Sequence, residues 1–387
     1  MGLAVARVAA DAGSAEDRAG ACAVPITHLA EPACAVAASF LAIGTLRYCS
    51  EKSWRGAASS TAGAVFMRIL VVGCGGVGGI FGGRLSAAAE VVFLCRTGTH
   101  FDALSKDGLQ LTDGQEEVAV KAKYVISLAG EPVFDLVIVT NKIGPEQTAV
   151  LDSLEGALAA DGTIFSLQNG VEASIELGER FGARALSAQC WVLSQKAGPG
   201  KVVCKFRKPQ CILFGELRKS EAFVKAAGAP SARCVALAEV FEKVGLPVDL
   251  PPDCELKMWD KFLISSCYSL WAIARAPFNL AYSCAPFGEA LRKGMEETRA
   301  VGAAYGIMLP DDAVSKYLQG FKEAPSGATC STLRDFVDGN PTEADGLGGA
   351  VVRLGAKCEP PVPTPTHELV LALMAPMEAK ARGELSF

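Results

Sequence analysis

Histidine is nearly absent from the chain: His28, His100 and His367 are the only three in 387 residues. A reaction built on an imidazole base is therefore hard to place, and proton chemistry must be sought among lysines and glutamates. The 14 cysteines include no C-x-x-C pair and none at metal-ligand spacing from a histidine. This excludes a zinc site and a disulfide frame, and leaves small buried hydrophobes in a reducing compartment such as the cytoplasm. No metal is expected. Basic residues number 37 against 42 acidic ones, a net charge of −5, with no basic block. Neither a nucleic acid nor an anionic membrane surface fits that balance. The uncharged apolar run Ala33–Leu46 is too short to span a bilayer, so no membrane partner is expected.

Residues 1–66 differ from the rest. They are alanine-rich and carry no periodic apolar face, and Met67 stands immediately before the first strand-like run. Asp11, Glu16, Asp17, Glu31 and Glu51 speak against an ordinary transit peptide. An atypical organelle leader and a wrongly extended start both remain open, and either way the segment reads as an extension outside the ordered fold. The remaining length suits two domains with sizeable cores.

The richest stretch is Met67–Gly83, MRILVVGCGGVGGIFGG. Ile69–Val72 is a continuous apolar run, as in a parallel strand covered on both faces. Gly73-Cys74-Gly75-Gly76-Val77-Gly78 follows as G-x-G-x-x-G. The first glycine permits the tight turn, the second lets backbone approach a pyrophosphate, and the third lets helix and strand pack closely. Phosphates then meet free N–H groups at the positive end of a helix dipole. A second apolar strand at Val91–Cys95 closes a βαβ unit and supports the dinucleotide reading over a ligand-free glycine turn. Arg96 is the 23rd residue after Gly73, where an NAD site usually places an acid for the ribose 2′-hydroxyl. Its guanidinium instead suits a 2′-phosphate, which favours NADPH/NADP; the plain alternative is a solvated arginine at a strand end.

Strands and helices then alternate. Asp135–Thr140 reads as a buried strand leading to Asn141-Lys142, Glu146–Leu158 as a helix, and Thr163–Leu167 as a strand leading to Gln168-Asn169-Gly170. This pattern predicts an α/β, doubly wound, Rossmann-type sheet over residues 67–252, with ligands at the carboxyl ends of its strands. Lys142 and Asn169 lie just past two such ends. Residues 201–215 read as a hairpin turning at Lys208-Pro209, with a helix near Cys234–Val244.

Pro247, Pro251 and Pro252 mark a linker, and residues 253–387 read as an all-helical domain. Met258–Ala274 is expected to be one long helix. Lys261, Ser265, Tyr268 and Ser269 recur on it at helical spacing as a polar stripe, which suits either a cleft wall or a solvated face. Cys330–Val337 reads as a short helix, Asp338–Pro341 as a turn and Thr342-Glu343-Ala344-Asp345 as a capping box. Local pattern alone makes Ser331 a helix-start hydroxyl and Glu343 a first-turn glutamate, and puts Glu296 and Glu297 on a solvated face.

Taken together, these residues resemble the ketopantoate reductase (2-dehydropantoate 2-reductase) family over about residues 67–380. The resemblance rests on GCGGVGG with Arg96, on Lys142 after DLVIVT, and on LQNG containing Asn169. The helical half adds Trp259-x-Lys261, Ser331-x-x-x-Asp335 and Thr342-Glu343, with 12 residues from Ser331 to Glu343. It implies an NADPH domain packed on a helical domain, with a 2-oxo acid held in the cleft between them. It further implies Lys261 as general acid and Glu343 as the partner of a substrate hydroxyl. Asn169, Ser331, Ser265 and Ser269 would lie along the substrate, and Lys142 and Asn169 near the cofactor. The family usually has asparagines four and eight residues after its lysine, where this chain has Ser265 and Ser269. A serine lacks an amide's paired donor and acceptor, which leaves the reaction type intact and weakens 2-dehydropantoate as the substrate.

Two other readings compete. One is a different NADP-dependent hydroxyacid or opine-type dehydrogenase on the same plan. The other is a non-catalytic NADP-binding sensor, which would have no need of Lys261, Asn169 and Glu343. Association as a homodimer is compatible with either.

Overall fold

The computed structural model describes residues 67–144 and 146–386, so the expectations for residues 1–66 lie outside the described residues. The chain opens with β1 (Arg68–Val72), α1 (Gly76–Leu85), β2 (Glu90–Leu94), α2 (Thr99–Asp107), β3 (Gln110–Asp113), β4 (Glu116–Val118), β5 (Ala122–Val125) and β6 (Phe134–Val139). Then come α3 (Gln147–Leu154), β7 (Leu158–Ser166), α4 (Glu172–Phe181), β8 (Leu186–Gly198), β9 (Lys201–Glu216), α5 (Glu221–Ala226), α6 (Ala232–Glu242) and β10 (Val248–Asp249). From Cys254 onward the described residues form helices only.

Five parallel strands in the order β5-β2-β1-β6-β7 make the first sheet. Its central strands β1 and β6 are apolar on both faces because both are covered. Ile69, Val71, Phe93 and Ile138 pack toward the second sheet, and Leu70, Val72, Val92 and Val139 toward α3 and α4. The second sheet, β10-β9-β3-β4 with β8 beside β9, was not foreseen. The expected hairpin within 201–215 is overturned, since β9 runs unbroken through those residues and pairs antiparallel with β8. The turn is Gly198-Pro199-Gly200, with positive φ at Gly198 (147°) and Gly200 (69°). The irregularity near Lys208-Pro209 is a register shift opposite Cys190 and Val192.

The helical part comprises α7 (Cys254–Ser265), α8 (Tyr268–Ala274), α9 (Phe278–Tyr282), α10 (Ala285–Ala304), α11 (Ala313–Lys322), α12 (Ser331–Val337), a π turn (Asp345–Gly349), α13 (Ala350–Lys357) and α14 (Pro365–Ala381). The single helix expected over Met258–Ala274 is two. Asp253 caps α7 by accepting from Leu256 N–H at 3.0 Å, and the helix ends at Ser265. The break is held by Ser266 Oγ, which bonds Leu263 O and Thr298 Oγ1. Trp271, Phe278 and Phe321 form the aromatic centre of this core. Glu297 is not a solvated residue: its carboxylate accepts the N–H groups of Thr366 and His367 at the start of α14.

Candidate active site

The glycine turn is built as the sequence predicts. Gly73 takes a φ of 93°, and a Cβ on Gly78 would lie 1.9 Å from Gly73 O, so only glycine allows this closure. Gly76 meets β8 as closely, its missing Cβ lying 2.4 Å from Ser194 O. Gly75 faces open space, and no side chain caps α1, so the N–H groups of its first turn are free to hold a phosphate. Cys74 is buried and Val77 partly so. His100 fastens the turn from below: its Nδ1 accepts from Gly200 N–H (3.0 Å), so Nε2–H donates to Cys74 O (2.7 Å). The residues present fit a dinucleotide. Arg96 lies past the end of β2, 85% exposed, with Glu146 3.7 Å away.

In the helical part, Lys261 projects from the middle of α7. Its Nζ donates to Cys190 O (2.9 Å) and to Asn169 Oδ1 (3.2 Å), and it stands 4.9 Å over the Trp191 ring. Asn169, just past β7, donates from Nδ2 to Glu343 Oε2 at 3.2 Å. One amide thus joins the ammonium to the carboxylate. All three residues are half-buried. Burial pushes the Lys261 ammonium below its ordinary pKa, against a smaller opposing pull from Cys190 and Glu343. Burial likewise raises Glu343, partly offset by the hydrogen bond from Asn169.

The remaining candidates divide. Lys142 reaches over to Asp335 Oδ2 on α12 at 2.8 Å. Ser331 opens α12, which packs on α8, the helix that carries Ser269. Ser269 Oγ and Thr332 Oγ1 are buried with no hydrogen-bond partner among the described residues. Ser265 is buried and turns its hydroxyl to Lys261 O at 3.3 Å. The polar stripe is therefore not one solvated face. Only half of the expected capping box forms: Thr342 Oγ1 accepts from Ala344 N–H, while Asp345 pairs with Arg353. Sequence reasoning missed the Cys190 carbonyl, which has no sequence signal. It also missed Trp191, whose strand was not recognised.

Comparison with known proteins decides what this constellation belongs to. The sequence profile of ketopantoate reductase PanE/ApbA matches residues 69–219, and that of its C-terminal domain matches residues 253–378. The chain belongs to the ketopantoate reductase family. It is an oxidoreductase of that family. A PanE/ApbA family ketopantoate reductase from Ralstonia eutropha JMP134 is 27% identical, with a TM-score of 0.69 over 82% of this chain and 100% of that one. The 2-dehydropantoate 2-reductase of Caulobacter vibrioides is 24% identical over 309 residues, 79% of this chain and 97% of that protein. D-mandelate dehydrogenase, solved with NADH and anilino(oxo)acetate, shares the fold at 20% identity and a TM-score of 0.68, over 82% of this chain and 99% of that one. Among the described residues no helix is long and apolar enough to cross a membrane, and no cluster of acidic, cysteine or histidine side chains could hold a metal.

Proposed function

We propose that this ketopantoate reductase family member reduces a 2-oxo acid to the 2-hydroxy acid with NADPH, and that 2-dehydropantoate is the first substrate to try. The observation that carries the reading is the walled-in Lys261 ammonium, held by two neutral oxygens beside Glu343. A bound nicotinamide dinucleotide supplies the hydride. The turn Gly73–Gly78 would hold its pyrophosphate, and Arg96 its 2′-phosphate, with Glu146 giving up the guanidinium. As the carbonyl oxygen of the substrate gains charge, Lys261 Nζ donates a proton to it, which its lowered pKa makes easier. Asn169 keeps the lysine and Glu343 in register, and Glu343 accepts from a hydroxyl on the substrate. A plain 2-oxo acid would leave that carboxylate facing apolar surface, which is costly.

A second reading shares the chemistry and changes the metabolite. Ser265 and Ser269 stand where the family usually has amides, and Ser265 is already bonded to its own helix. A different side chain on the 2-oxo acid fits that loss of polar reach, and D-mandelate dehydrogenase shows the fold compatible with an aryl ligand.

Oxidation of NADPH and of NADH against a panel of 2-oxo acids tests both readings. Turnover of a hydroxyl-bearing member with NADPH is expected, and Arg96→Asp should reduce the NADPH preference by roughly tenfold or more, the worth of a charge-assisted phosphate contact. Inert 2-dehydropantoate beside an active unbranched 2-oxo acid would remove 2-dehydropantoate as the substrate. No turnover with any member would favour a sensor.

A further inference from the structure

The guanidinium of Arg353, on α13, joins two segments that are far apart in sequence. Its Nε and Nη2 donate to Glu172 Oε1 (3.0 Å) and Oε2 (2.7 Å), a two-pronged contact across the domain boundary. Its Nη1 donates to Asp345 Oδ1 and its Nη2 to Asp345 O, both at 2.9 Å. Glu172 opens α4, three residues after Asn169, and Asp345 follows Glu343 by two. The same two segments touch through backbone: a Cβ on Gly170 would lie 3.1 Å from Gly346 O. Between Glu343 and Arg353 the chain forms the π turn, a local irregularity that recurs at functional sites, and Leu347 N–H donates to Glu343 O at 3.0 Å. None of the four Arg353 contacts involves Lys261, Asn169 or Glu343 directly, and its side chain is 39% exposed.

We propose that Arg353, acting through Glu172 and Asp345, is a positioning residue that fixes the distance between Asn169 and Glu343. The proposal rests on the reading of those two residues as substrate-orienting groups. An ordinary surface ion pair would not need a fork on one partner together with a backbone oxygen on the other. Asn169 and Glu343 sit on separate domains, so their 3.2 Å contact is only as constant as the joint beside it.

The test compares Arg353→Met, Arg353→Lys and Glu172→Gln in the full chain, with two readouts. Kinetically, Arg353→Met should leave NADPH affinity unchanged, raise the KM for the 2-oxo acid, and lower kcat/KM by about 10- to 100-fold, as small misplacements of orienting groups do. Arg353→Lys should fall in between, because an ammonium cannot grip both carboxylate oxygens. A purely structural role would lower kcat through a smaller folded fraction at an unchanged KM, and that result would overturn the proposal. The second readout is amide hydrogen exchange over residues 168–176 and 343–349, which should quicken in Arg353→Met and Glu172→Gln while residues 69–85 stay as in the parent. If the parent reduces no 2-oxo acid, the catalytic reading fails by itself, and exchange still decides the joint. Unchanged exchange in both segments overturns it.

Discussion

Two lysines cross the same junction between the sheets and the helices, one at its exposed mouth and one at its buried floor. At the mouth, Lys142 meets the Asp335 carboxylate directly, with its side chain 58% exposed. At the floor, Lys261 has no carboxylate in contact and is held by a carbonyl, an amide oxygen and an indole face. The mouth contact is charge against charge in water, where such pairs contribute only about 0–1 kcal/mol. The floor contact places a charge among neutral acceptors away from water, where its proton becomes easier to release. The same functional group therefore sits as a loose tether in one place and as a buried ammonium with a lowered pKa in the other. Burial and the nature of the acceptor decide which.

The largest effect should come from removing the floor lysine. Lys261→Ala is expected to lower kcat by roughly 10²–10⁴-fold while leaving dinucleotide binding intact, as for loss of a general acid. In the parent, kcat should fall as pH rises through a value below the ordinary lysine 10.5, because only the ammonium donates and burial lowers its pKa. That alkaline limb should vanish in the variant. Near-parental turnover by Lys261→Ala would erase the distinction between floor and mouth.

Next comes Glu343→Ala, expected to act mainly on KM, with a smaller loss of kcat from a less well-held lysine. The sign for stability is separate. The folded pKa of Glu343 is raised by burial, so the charged form is disfavoured in the native protein. The parent should therefore lose stability relative to Glu343→Gln as pH rises from the ordinary carboxylate 4.5 through the raised value. Denaturant midpoints at several pH values measure this.

The smallest effect belongs to the mouth. Asp335→Asn should change stability by less than about 1 kcal/mol and leave the alkaline limb in place. A displaced limb would show that the mouth carboxylate acts on the floor lysine after all.

What the sequence discloses follows the same division. The first strand and glycine turn were legible because each glycine answers a local steric demand and both strand faces are apolar. Lys261, Asn169 and Glu343 were legible as a set only through the family resemblance, since local pattern left Glu343 a first-turn glutamate. Strand β8 was not, since LSAQCWVLSQKAG lacks clean alternation and its pairing with β9 is a matter of long-range register. The break after Ser265 was hidden for a related reason, because it depends on Ser266 meeting Thr298 on α10. Arg353 and Glu172 gave no local signal, being 181 residues apart.

Strand β8 has one more consequence. Ser194 Oγ on this strand donates to Gly76 O (2.8 Å) at the start of α1, and Cys190 O, four residues earlier, accepts from Lys261. An extended chain advances about 3.3 Å per residue, so these two anchor points are separated by roughly 13 Å of extended backbone. The strand works as a gauge, setting how far Lys261 stands from the glycine turn whatever the side chains between do. Deleting one residue within it would shorten the gauge and turn the neighbouring side chains to the opposite face of the sheet.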